Sequence, residues 1–200
     1  MSRSYNQSCS LARALDVLGE RWTLLIVRDL LAGPCRFKDL VSGLPGAGTN
    51  LISERLKLLE SEKIIESYQG THGVFLYRLT ERGEDLREAI VSLAKWGIGL
   101  QVKPRNNTVL RGWWNPIAIQ ARFDPKLAKG LSCVGHINML GTTTEIVLVK
   151  GKLLATNLPK HTPDFTIMTK GDGISKIEIK DLSIQGNGIL AKNFLKSLSF

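Results

Sequence analysis

The sequence predicts an α+β chain in two parts: a mostly helical first domain and a small α+β sheet domain after it. Three observations predict this. Up to Arg105, Leu, Ala, Glu and Arg recur at helical spacing. From Asn106 onward, short β-type runs alternate with Gly, Pro, Asn and Asp. Between them, Lys103-Pro104-Arg105-Asn106-Asn107 joins a helix-ending proline to turn-forming asparagines, which sets the expected domains at 1–105 and 106–200. A chain of 200 residues is long enough for two such cores.

In the first half, Leu11, Ala14, Leu15 and Leu18 mark one helix face, and Gly19 ends it. Trp22, Leu25, Ile26 and Leu30 mark a second helix. Leu24, Val27 and Leu31 add apolar cover, as a central helix requires. Gly33-Pro34 stops it. A short third helix carries Phe37, Leu40, Val41 and Leu44. The breaker-rich turn Leu44-Pro45-Gly46-Ala47-Gly48 follows, then a fourth helix with Ile52, Leu56 and Leu59 inward. Ile64–Tyr68 and Val74–Leu79 read as a hairpin around Gln69–Gly73. Thr80 can cap a last helix with Leu86, Ile90 and Leu93 on one face. This is the order of a winged helix-turn-helix.

That order carries a chemistry. If the fourth helix buries Ile52, Leu56 and Leu59, its outward face holds Thr49, Asn50, Ser53, Glu54 and Lys57. Short polar side chains at the start of such a helix reach base edges in the major groove, and Asn pairs with adenine in bidentate fashion. Arg55 on its flank, with Arg36 and Lys38 at the preceding helix, suits backbone phosphates. Residues 36–63 hold five basic and four acidic groups, a weak field that implies modest affinity and marked salt sensitivity. The competing reading of the same face is a solvated protein-interaction surface.

The segments Cys9–Ile26, Gly33–Leu40, Leu44-Pro45-Gly46, Ser53–Glu60 and Tyr77–Gly83, in that order, resemble the HxlR family of bacterial transcriptional regulators. The resemblance implies a homodimer that binds double-stranded DNA through Thr49–Leu59, with Ile65–Leu79 as wing. Two positions depart from it. Gly48 stands where the family has a capping Ser, and the wing offers His72-Gly73-Val74 where the family carries an arginine. The wing contact expected here is therefore His72. A cysteine at the Cys9 position recurs in the family, where some members sense oxidants with it. A helix start and Arg13 one turn on would favour its thiolate. The alternative for Cys9 is packing, which is also the expectation for Cys35 and Cys133.

In the second half, Asn115-Pro116 opens a helix through Ile117, Ile119 and Phe123. Strands are expected at Val134–Leu140, Glu145–Val149, Lys152–Asn157, Asp164–Thr169 and Lys180–Gln185, and a closing helix at Ile189–Leu198. Leu131–Phe200 more weakly resembles a sterol-carrier-protein type of domain, on Glu145–Leu153, Pro163–Ile167, Leu182–Gly186 and Phe194–Phe200. That resemblance implies a small apolar or anionic ligand. The alternatives are a dimerisation appendage, or a lipid-carrier or protein-interaction protein that keeps a winged helix as scaffold.

Charge and composition exclude other classes. The formal net charge is +9. Residues 1–105 hold 15 basic and 12 acidic groups, and residues 106–200 hold 12 and 6. A basic balance favours a polyanionic partner. No run approaches a membrane span and the start lacks an apolar signal core, so a cytoplasmic chain is expected. Three scattered cysteines form neither a disulfide framework nor a metal pattern. There is no Walker sequence, nucleophile elbow or His-Glu-x-x-His, and His136 reads as a structural histidine in a strand. No enzyme, cofactor or metal is expected.

Overall fold

The computed structural model describes residues 4–100, 109–169 and 182–199. The expected joint at 103–107, and Lys180 at the start of one expected strand, lie outside them. The chain divides into two compact units, Met1–Ile90 and Val91–Phe200. Among the described residues, no helix is long and apolar enough to cross a membrane.

The first unit has helices α1 (Ser10–Leu18), α2 (Thr23–Leu31), α3 (Phe37–Gly43) and α4 (Thr49–Ser61). Strands β1 (Ile65–Gln69) and β2 (Phe75–Leu79) follow as an antiparallel hairpin, then α5 (Glu81–Glu84). Helix α6 (Arg87–Ile98) crosses into the second unit. Ile26, Val27, Leu30 and Leu31 of α2 are buried, as are Leu40, Leu44, Ile52, Leu56 and Leu59, and α2 touches α3 and β2. Trp22 is not inside α2: it precedes the helix, in the left-handed region at φ 79°.

The helix expected after Thr80 is two helices. Thr80 caps the first as anticipated, its Oγ1 accepting from Gly83 N at 3.2 Å. Gly83 then sits flat on the carbonyl of Ile64, where a Cβ would collide. That turn is tied to the hairpin, so α6 starts afresh at Arg87. Leu93, expected inward, is 52% exposed.

Further along the second unit come a 3-10 turn (Gly112–Trp114) and α7 (Asn115–Arg122). Strands β3 (Cys133–Met139), β4 (Thr142–Val149), β5 (Lys152–Thr156), β6 (Phe165–Thr169) and β7 (Leu182–Gly186) form one sheet, and α8 (Gly188–Lys196) follows. The order across the sheet is β5-β4-β3-β6-β7. All pairs are antiparallel except β3–β6, which is parallel. Leu140-Gly141 and Lys150-Gly151 are two-residue turns with positive φ at both positions, the geometry that suits the twist of hairpins. The first of these starts β4 at Thr142, three residues before the expected Glu145.

Cys133, Gly135, Ile137 and Met139 alternate onto one face of β3, with Ile146, Leu148, Ala155, Phe165 and Ile167 from its neighbours. Helices α7 and α8 cover this face through Ile119, Ala191, Phe194 and Leu195. Gly135 makes room for the ring of Phe165, which meets Phe194 at 6.0 Å between centroids. An apolar ligand here would have to displace these side chains. Asn187 caps α8 by accepting from Leu190 N at 3.1 Å. Asn115, expected to cap α7, instead donates its Nδ2 to the Met139 carbonyl at 3.3 Å and pins the start of α7 to the end of β3.

The other face of the sheet holds a carboxylate that the sequence did not announce. Glu145 is only 2% exposed. It accepts from the backbone of His161 (2.8 Å) and Lys160 (3.0 Å), and from the rings of His161 (3.0 Å) and His136 (3.5 Å). Burial alone would raise its pKa. The hydrogen bonds from His161, Lys160 and His136 outweigh burial and hold it at about 2. His136, read from the sequence as a structural histidine in a strand, lies in β3 with its Nε2 3.5 Å from Glu145 Oε2.

Candidate nucleic-acid interface

Helix α4 is preceded by Gly48, which contributes no side-chain cap. Its first turn is thus open at Thr49 and Asn50, both exposed. Ile52, Leu56 and Leu59 fall on the buried side, as their three- and four-residue spacing dictates. Glu54 and Lys57 face outward, and Ser53 is half-buried beside them. At the neck of α3, Arg36 and Lys38 are exposed. The Arg36 backbone N–H donates to Asp39 Oδ2 at 3.2 Å, which fixes the first turn of that helix. The structure thus brings Thr49, Asn50, Ser53 and Lys57 onto one helix.

Arg55 is placed differently from expectation. Its side chain is only 12% exposed, and its Nη2 and Nη1 donate to Glu20 at 3.1 Å and Glu54 at 3.3 Å. The guanidinium braces α4 to the segment between α1 and α2, so the exposed cations of residues 36–63 are Arg36, Lys38, Lys57 and Lys63. The pairing spans 35 residues, and no local pattern signals it.

In the hairpin, His72 is exposed in the left-handed region (φ 60°) between the strands. The wing also carries Arg78, which sequence reasoning passed over. Its guanidinium lies 4.6 Å from the Tyr68 ring centroid and its Nε donates to Glu66 at 2.7 Å. The signal was the opposite charges of Glu66 and Arg78, which face each other once the hairpin register is set.

Cys9 is exposed and immediately precedes α1; Cys35 and Cys133 are buried. Burial, and then the charge of Asp164, push the Cys133 thiol up to about 11, consistent with packing. Among the described residues, no cluster of His, Cys, Asp or Glu could hold a metal ion.

The HxlR-like helix-turn-helix family matches residues 17–103. Over 90 residues the chain is 42% identical to the uncharacterized HTH-type transcriptional regulator Rv3095 of Mycobacterium tuberculosis, covering 44% of this chain and 56% of that protein. The chain thus spans little more than half the length of this mycobacterial relative. It is 36% identical over 86 residues to the uncharacterized HTH-type transcriptional regulator YvaP of Bacillus subtilis, covering 42% of this chain and 80% of that protein. Among solved structures, the reduced form of the transcriptional regulator YodB from B. subtilis matches at 29% identity and a TM-score of 0.42, covering 50% of this chain and 100% of that one. From Val17 to Lys103, which takes in α4 and the hairpin, this chain belongs to the HxlR-like helix-turn-helix family.

Proposed function

We propose that the protein is a transcriptional regulator that reads duplex DNA as a homodimer through α4. The observation that carries this reading is the placement of Thr49, Asn50 and Lys57 on the exposed face of a helix whose opposite face is anchored by Ile52, Leu56 and Leu59. Arg36 and Lys38 supply phosphate contacts and Asn50 supplies base contact. Supporting the dimer, α1 leaves Leu11 and Leu15 exposed, and α6 leaves Leu93 and Trp96 exposed. A dimer presents two recognition helices to half-sites about one helical turn apart. The second unit, with its filled sheet face, serves in this reading as a structural appendage.

The test is selection of duplexes from a random pool by the full chain, followed by titration of the enriched sequence. Lys57→Ala should weaken binding to enriched and random duplexes alike, and lower the slope of log affinity against log salt by about one. No enrichment over the random pool would sink the reading.

A further inference from the structure

We propose that Glu20, in the segment between α1 and α2, is a positioning residue that holds the Arg55 cation away from DNA phosphates and so limits binding to unselected sequence; the inference rests on the DNA-binding reading above. Arg55 stands on α4 between Glu54, which faces outward, and Leu56, which is buried. A free guanidinium on that flank would take a phosphate from a duplex of any sequence. Here it is not free. Nη2 donates to Glu20 at 3.1 Å and Nη1 to Glu54 at 3.3 Å, and the side chain is 12% exposed. Glu54 belongs to the same helix and serves to neutralise. Glu20 lies 35 residues earlier, so it sets the direction in which the guanidinium lies.

The segment that carries Glu20 also meets the turn before α4. A Cβ at Gly46 would stand 3.7 Å from Trp22 Cη2, an ordinary van der Waals distance, and the Arg21 guanidinium lies 4.9 Å from the Trp22 ring centroid. Glu20 is therefore presented to Arg55 by a segment that is itself seated beside the helix. Stability does not account for the pair. Glu20 is 48% exposed, and ion pairs open to water contribute little. Arg55 Nε is buried and meets no partner among the described residues, which is a cost. What the pair changes is charge. Residues 36–63 hold five basic and four acidic groups, so one cation withdrawn from the phosphates is a large part of the field there.

The experiment titrates the full chain against a random duplex and against the duplex enriched by the wild type, across a range of salt. Glu20→Gln keeps the shape of the side chain and removes its charge. It should bind the random duplex roughly tenfold more tightly at about 0.1 M salt, and steepen the slope of log affinity against log salt by about one. Arg55→Gln alone should leave the wild-type slope unchanged, because Arg55 does not reach a phosphate. Glu20→Gln with Arg55→Gln should return both readings to the wild-type values. A gain that survives in the double variant would overturn the inference, since it would come from the lost charge of Glu20 itself. So would a slope flattened by about one in Arg55→Gln alone, which would place Arg55 at a phosphate in the wild type. Equal weakening on both duplexes in Glu20→Gln, with a lower melting temperature and an unchanged slope, would leave a structural brace and overturn it too. Failure of the wild type to enrich any duplex would overturn the DNA-binding reading, and this one with it.

Discussion

Asp29 in α2 and Glu145 in β4 are equally buried, each 2% exposed, and each has a donor at a different distance along the chain. Asp29 is met by the residue beside it: Arg28 Nε donates to its Oδ1 at 2.9 Å. Its other oxygen faces Gly43, where a Cβ would stand 2.8 Å away, so α3 approaches α2 closely at that point. Glu145 draws its donors from Lys160 and His161, 15 and 16 residues on, and so fastens a loop to a sheet. A donor on the adjacent residue stays near its carboxylate whether or not the chain is folded. A carboxylate with distant donors has them only when the chain is folded, and its burial therefore reports on tertiary structure.

The largest expected effect follows from that difference. Glu145→Ala strands two backbone N–H groups and should destabilise the second unit by about 3 kcal/mol, read by chemical denaturation, with the affinity of the chain for enriched DNA unchanged. Equal stability of the variant would mean that the loop is held by other contacts. The pH dependence carries the same signature. The ordinary pKa of Glu145 is 4.5 and the folded value about 2, so its contribution is complete above about pH 4.5 and is lost as pH falls through about 2. In Glu145→Gln that part of the acid sensitivity should disappear.

Next in size is the converse case, a surface residue of the first unit. Asn50→Ala should relax base preference at one position by about 1–3 kcal/mol, measured on single-base variants of the enriched duplex, while melting stays unchanged. Thr80→Ala should cost about 1 kcal/mol of stability through loss of the cap on α5. The smallest effect is chemical: iodoacetamide should label Cys9 in the native chain well before Cys35 and Cys133, which react only on unfolding. Simultaneous labelling of all three would contradict their burial.

The first unit was the more legible in sequence because its signals are local. Ile52, Leu56 and Leu59 repeat at helical spacing, and their burial fixes which residues of α4 face outward. In the second unit, the strand expected at Val134–Leu140 is β3, one residue earlier at Cys133–Met139. Features made by distant residues meeting were illegible. The Arg55–Glu20 brace, the break between α5 and α6 where Gly83 meets Ile64, and the Glu145 clasp each require tertiary contact before any local rule applies. The start of β4 was missed for a smaller reason: Leu140 adopts φ 52°, a conformation that leucine seldom takes, so Leu140-Gly141 did not read as a turn.

The parallel pairing of β3 with β6 also has a kinetic consequence. Strands β3, β4 and β5 are joined by two-residue turns and can zip together on the microsecond scale of hairpins. Strand β6 must pair with β3 after the chain has passed through β4, β5 and the segment that Glu145 grips, closing a loop of about 30 residues before any ladder bond rewards it. Docking of β6, and with it β7 and α8, is accordingly the slow step in folding the second unit.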